Sequence, residues 1–291
     1  MISICEVGPR DGLQNEKKTI TTEQKVQLIT QLIDSGIKKI EAVSFVNPKI
    51  VPQMADAEEL MKLVPKGNGV RFAGLVLNYS GLKRALQTEI DDYHIVTATS
   101  NEFNLKNAKK TVDQSVDELS KVIREAAQEH KTVTGVLGTA FGCPFAGEIS
   151  TNKLLEVANS FAVAGATSIT LADTTGLANP TQVKKIVESF VDFFGKDIEL
   201  GLHFHNTRGL GVANVLAGYQ AGVRHFDSSI AGLGGCPFAP KAVGNVCTED
   251  MVNMFSEMGI ETYTDLSKLI KTAQWMESQM GKNLDGMMMK V

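Results

Sequence analysis

Cysteine is scarce in this 291-residue chain, and Cys5, Cys143, Cys236 and Cys247 stand too far apart to form a CxxC pair. That spacing argues against a zinc finger, thioredoxin-type redox chemistry and a disulfide framework. Cys5 lies in an apolar run and Cys247 near a helix start, where a small buried hydrophobe is expected. Positive charge is not in excess either. Lys and Arg total 29 against 33 Asp and Glu, a net charge of -4 with the signs interspersed. There is no basic footprint for nucleic acid and no Lys/Arg cluster for an acidic membrane surface. No stretch approaches the roughly 20 apolar residues of a membrane span, and the opening MISICEVGPRDG has neither the basic nor the apolar region of a secretory signal. The expectation is a soluble cytoplasmic protein with neither a nucleic-acid nor a membrane partner.

What is present is an apolar content of 43%, enough for a large core, arranged in an alternating pattern. Short apolar or period-2 runs read as strands at 2–7, 38–45, 71–77, 93–99, 132–141, 167–173, 198–205 and 224–232. Helical periodicity follows each one. The first helix, TEQKVQLITQLIDSG, is expected to be capped by Thr21 or Thr22 and stopped by Gly36. The others are placed around PQMADAEELMKLV and at 80–88, 112–130, 151–164, 180–194, 209–221 and 247–258. Eight strand-helix units with mostly apolar strands predict a (β/α)8 TIM barrel, with a doubly wound sheet as the alternative. No linker-like segment divides the chain, so residues 1–291 are read as a single catalytic domain: a barrel to about 258, then a helical extension over 259–291. That extension contains an additional C-terminal helix at 262–280, and the terminal GMMMKV reads as a frayed tail.

In such a barrel the active site lies where strands end and helices begin. Placed there are Glu6, Arg10 and Asp11 after strand 1, Glu41 and Ser44 on strand 2, Asp173 ending strand 6, and His203 and His205 ending strand 7. The loop AGLGGCPFAPKAVGN, with Cys236 and Asn245, follows strand 8. His203 and His205 are one residue apart in a strand and therefore project from one face. With Asp11 across the closing seam and the amide oxygen of Asn245, they form a donor set suited to Mg2+ or Mn2+; zinc or iron(II) is the runner-up. Arg10 can bind an oxyanion formed during reaction. Glu41, a charge in an apolar strand, requires a partner such as Arg10 or a substrate. Asp173, in DTTG, is equally well explained by turn chemistry. Gly232, Gly234 and Gly235 lack dinucleotide-binding spacing and read as a lid carrying Cys236, a thiol able to act as acid or base beside a cation.

Together EVGPRDGLQNE, IEAVSFVNPK, LADTTG, GLHFHNTRGLGVAN and DSSIAGLGGCPFAPKAVGN resemble the 3-hydroxy-3-methylglutaryl-CoA lyase family, within metal-dependent barrels that include isopropylmalate and homocitrate synthases. The resemblance runs in order along nearly the whole chain, and GLGGCP is the piece that looks like the lyases and not the synthases. It implies metal-dependent cleavage of the acyl-CoA into acetyl-CoA and acetoacetate by a homodimer. By resemblance the cation falls on Asp11, His203, His205 and Asn245, the thioester carbonyl on Arg10, and acid-base catalysis on Cys236, with His203 in the proton shuttle. Glu6, Glu41, Asp173 and Glu249 are then supporting residues. Two positions depart from the family pattern: Asn206 where an aspartate is usual, and Lys241 in the lid where glycine is usual, so that Lys241 is expected to alter closure or meet an anionic group of the ligand. They leave open a related 3-hydroxyacyl-CoA as substrate, a condensing synthase, or a non-catalytic acyl-CoA or metal-binding barrel.

Overall fold

The computed structural model describes residues 1–67, 69–235 and 244–291. Eight parallel strands close into a barrel in chain order: β1 Ser3–Glu6, β2 Lys39–Ser44, β3 Arg71–Val76, β4 Asp92–Ala98, β5 Thr132–Gly138, β6 Ser168–Asp173, β7 Glu199–Phe204 and β8 His225–Ser228. The first and last strands seal it, with Ser3 to Glu6 registered on His225 to Ser228. A doubly wound sheet is thereby excluded, since closure leaves no sheet edge.

Around the barrel lie α1 Thr22–Asp34, α2 Ala57–Leu63, α3 Tyr79–Ala85, α4 Asn101–Ala108, α5 Val112–Gln128, α6 Thr151–Ala164, α7 Pro180–Phe194, α8 Gly211–Gln220 and α9 Thr248–Glu257. Local chemistry sets their starts. Thr21 caps α1 in a reciprocal capping box with Gln24, and Thr111 and Gln114 repeat the device at α5. The core is one large cluster, with a small satellite of Ala98, Phe103 and Cys143, and the strands bury both faces, as parallel strands covered by helices must. Close approach is built in at Gly135 on β5, where a Cβ would stand 2.7 Å from the Phe161 ring of α6.

Three features differ from the sequence expectation. Helix α4 follows β4 directly, because the Ser100 hydroxyl accepts the Phe103 N–H and opens a helix where periodicity gave only loop. Strands 5 and 8 stop early. Thr139 turns to φ 56° after β5, and a short 3-10 turn at Ile230–Gly232, with Ala231 at φ 56°, takes up the end assigned to strand 8.

The third difference is the C-terminus. Helix α10 Leu266–Met280 packs on α1 and α9, and the chain then returns to the barrel instead of fraying. Asp250 accepts the N–H groups of Met287 and Met288, Gln274 donates to the Met289 carbonyl, and Met289 is buried in the core. The frayed-tail reading is corrected: Met287 is exposed, Met288 half-buried and Met289 buried on a docked turn. Met289→Ala should therefore cost about 2–4 kcal/mol, as other buried methionine truncations do, and lower the melting temperature by several degrees in a calorimetric scan. An unchanged melting temperature would mean that the segment carries no packing energy.

Candidate functional site

The rim begins with a peptide that leaves β1 and turns at once. Residues Gly8–Gly12 form a π-helical turn, in which the Gly12 N–H reaches the Val7 carbonyl. Glycine is required at its far end, where a Cβ would lie 2.9 Å from both Leu233 and Ser229. The turn delivers Arg10 and Asp11, adjacent in sequence, to the barrel mouth.

There they meet β7. The ligand atoms of Asp11, His203 and His205 all lie within 4.8 Å of one another. His203 and His205 face the barrel mouth while the buried Phe204 between them points to the other side of the strand, as alternation demands, and the two imidazole rings stand 5.2 Å apart. Asn245, bridged to His205 across the backbone, donates its Nδ2 to Asp11 Oδ2 at 2.8 Å and to the Leu233 carbonyl at 3.1 Å. Its Oδ1 is buried and has no hydrogen-bond partner among the described residues. A buried amide oxygen beside a carboxylate and two imidazoles fits a divalent cation, which would supply the missing partner. His203 Nδ1 is engaged by Asp227 Oδ2 at 3.2 Å, leaving Nε2 to serve as ligand.

Arg10 forms the adjoining wall. Its Nε donates to Glu41 Oε2 at 2.6 Å and its Nη1 to Asp11 Oδ1 at 2.8 Å, so the charge in the apolar second strand has the partner expected of it. Burial alone would raise Asp11, but Arg10 and the two histidines hold its carboxyl at about 2. On His203 burial opposes the charge, and the Asp227 bond, reinforced by Asp11, overrides it to raise the imidazole above its ordinary value.

These groups line a cavity of roughly 220 Å³ together with His94, Asp227, Gln14 and Asn107. A second cavity of roughly 440 Å³ adjoins it and shares Leu77, Val96, Phe103, Asn107, Gly138 and Thr174.

Other expected site residues stand behind this surface. Glu6 is fully buried and accepts from Gly8 N at 2.8 Å, Ile230 N at 2.9 Å and the Thr248 hydroxyl. Glu249 accepts from Ala231 N, and Asp173 from Leu177 N and Ala178 N. Burial pushes these carboxyls up, to about 7 in Glu6, 8 in Glu249 and 6 in Asp173. All three hold rim backbone and none lines the cavity. Asn206 does related work: its side-chain oxygen accepts the N–H of Gly211, the first residue of α8. Cys236 and Lys241 lie outside the described residues.

Sequence reasoning missed His94 and Asp227. The signal was the same alternation that exposed His203 and His205. Asp92 and His94 share a face of β4, and Asp227 breaks the apolar character of β8.

A family model described as HMGL-like matches residues 1–276. Hydroxymethylglutaryl-CoA lyase YngG of Bacillus subtilis is 40% identical over 97% of this chain and 94% of its own length. The (R)-citramalyl-CoA lyase of Chloroflexus aurantiacus is 38% identical over 99% of this chain and 94% of its own. Among solved structures, an HMG-CoA lyase from Acinetobacter baumannii in complex with coenzyme A and 3-methylmalate superposes with a TM-score of 0.95 at 41% identity, covering 100% of this chain and 95% of that one.

Asp227→Asn tests the cation site directly. Losing the carboxylate that orients His203 should weaken Mn2+ binding by about 10–100-fold in a calorimetric titration. Unaltered affinity would place Asp227 outside the site.

Proposed function

Since the chain belongs to the HMGL-like family over residues 1–276, we propose that it cleaves 3-hydroxy-3-methylglutaryl-CoA to acetyl-CoA and acetoacetate, using bound Mg2+ or Mn2+. The observation that carries this reading is the juxtaposition, in one cavity, of the Asp11, His203 and His205 cluster with the Arg10 guanidinium. The reading includes one catalytic domain over residues 1–291 in a cytoplasmic homodimer. No helix among the described residues is long and apolar enough to cross a membrane.

The reaction removes the proton of a tertiary hydroxyl while the C2–C3 bond breaks. The hydroxyl oxygen becomes the ketone of acetoacetate, and the bonding pair passes to the thioester enolate. When bound, the cation supplies Lewis acidity at the hydroxyl. Asp11, His203, His205 and Asn245 Oδ1 would hold it. Arg10, fixed by two carboxylates, keeps its remaining N–H bonds for the thioester oxygen, where negative charge develops. Glu41 holds Arg10. A ligating histidine must be neutral, so we assign His203 as ligand and not as shuttle. The enolate carbon then needs a proton, and Cys236 is the candidate donor from the sequence. Glu6, Asp173 and Glu249 keep the rim backbone in place, and Lys241 is the candidate contact for an anionic group of the ligand.

The citramalyl-CoA lyase relative supports a second reading, a lyase for a related 3-hydroxyacyl-CoA. There the carboxylate sits on the carbinol carbon itself, and the same bond cleavage releases pyruvate in place of acetoacetate.

Two experiments decide. EDTA-stripped protein supplied with 3-hydroxy-3-methylglutaryl-CoA should form acetoacetate only when Mg2+ or Mn2+ is restored, and His203→Ala should abolish it. Pyruvate from citramalyl-CoA, without acetoacetate from the first substrate, would move the assignment to the second reading. Cys236→Ser should lower turnover by about 10²–10⁴-fold, the usual contribution of a general acid. Unchanged turnover would remove Cys236 from the donor role.

A further inference from the structure

One buried group at the cavity floor has no part in the chemistry above. His94 is 3% exposed, lines the cavity, and directs Nδ1 to Glu41 Oε1 at 2.9 Å. Behind it Nε2 stands 3.6 Å from Asp92 Oδ2, and Asp92 is paired in turn with Lys39 at 2.6 Å and with the Thr134 hydroxyl. Six charged or chargeable side chains thus alternate in sign along the inside of the barrel: Lys39, Asp92, His94, Glu41, Arg10 and Asp11. Burial disfavours charge on His94, but the nearby Asp92 and Glu41 carboxylates prevail and raise it to about 9.

Glu41 is the point where this chain matters. An isolated arginine-carboxylate pair favours the bidentate arrangement, two N–H groups on two oxygens of one carboxylate. Here that arrangement is not formed. Arg10 uses only Oε2 of Glu41, because Oε1 is taken by His94. The guanidinium is left with Nη1 on Asp11 and its outer edge toward the cavity.

We propose that His94 is a positioning residue, which by occupying one oxygen of Glu41 prevents a closed Arg10–Glu41 fork and so keeps the guanidinium turned toward the substrate. Without it, Glu41 rotates to take Nε and Nη2 with one oxygen each, and the guanidinium plane turns from the substrate while Nη1 keeps Asp11. The effect falls on Arg10 and not on the cation, since His94 touches none of the metal-ligand candidates.

The test compares His94→Val, which removes the donor, with His94→Asn, whose amide nitrogen falls where Nδ1 stood. In protein labelled with 15N-arginine, the Arg10 Nε–H resonance should move in the valine variant and return in the asparagine variant. The kinetic readout rests on the lyase reading. In His94→Val, kcat should fall by about 10²-fold, the loss expected from misplacing a catalytic group by an ångström. KM and Mn2+ affinity should stay within about twofold, and His94→Asn should regain most of the rate. If valine prevents folding, His94→Ser, too short to reach Oε1, takes its place. An Arg10 resonance unmoved in the folded variant overturns the positioning role, whatever the substrate. A parent enzyme inert on 3-hydroxy-3-methylglutaryl-CoA while the resonance still moves tells against the lyase reading alone.

Discussion

The geometry of the rim depends on a single buried carboxylate. Glu6 ends the first strand, and its two oxygens collect donors from three separate segments: Gly8 in the turn after β1, Ile230 after β8, and Thr248 at the start of α9. Each strand exit breaks the ladder of backbone hydrogen bonds and leaves N–H groups that must be satisfied away from water. Glu6 answers two of them while binding the seam where the barrel closes. Glu249 does the same for Ala231, and Asp173 for the turn after β6. Arg10, Asp11 and Asn245 occupy the short segments these carboxylates pin. Acidic residues close to an active cavity can therefore serve it without touching a substrate.

Much of this could be read from the residues themselves. Repetition of strand and helix periods pointed to a barrel, and the pairing of β1 with β8 decided against the doubly wound alternative. His203 and His205 were legible through strand alternation, and Glu41 through the cost of burying an unpaired charge. What escaped depends on neighbours distant in sequence. His94 acquires meaning only when β2 and β4, on either side of β3, direct Glu41 and His94 into one interior. Asp227 needs the pairing of β7 with β8 to reach His203. The short α4 has too little amphipathic pattern to announce itself, and the docked methionines resembled a polar-flanked tail because their acceptor, Asp250, lies 37 residues earlier. The π-turn at Gly8–Gly12 has no periodic signature at all.

Charge balance explains why the mouth tolerates so many ionisable groups. Asp11, Glu41 and Asp227 face Arg10, His94 and His203 at hydrogen-bond distance, and every one of these pairs lies in or against the protein interior. In that setting each charge is stabilised chiefly by its fixed neighbours, with little water to rearrange around them. Negative charge that develops on a bound acyl group then meets dipoles and cations already oriented, which is the arrangement that lowers a barrier most.

The bond from Asn245 to Asp11 spans 234 residues, nearly the full chain. At ~5–20 residues per second, protein synthesis separates the two by roughly 10–50 s. For most of that interval the nascent chain carries Arg10 and Asp11 without the histidines, and to its end without the amide. For the divalent ion proposed to bind there, capture is thus deferred until the eighth strand has closed on the first, and a loaded site would certify a finished barrel.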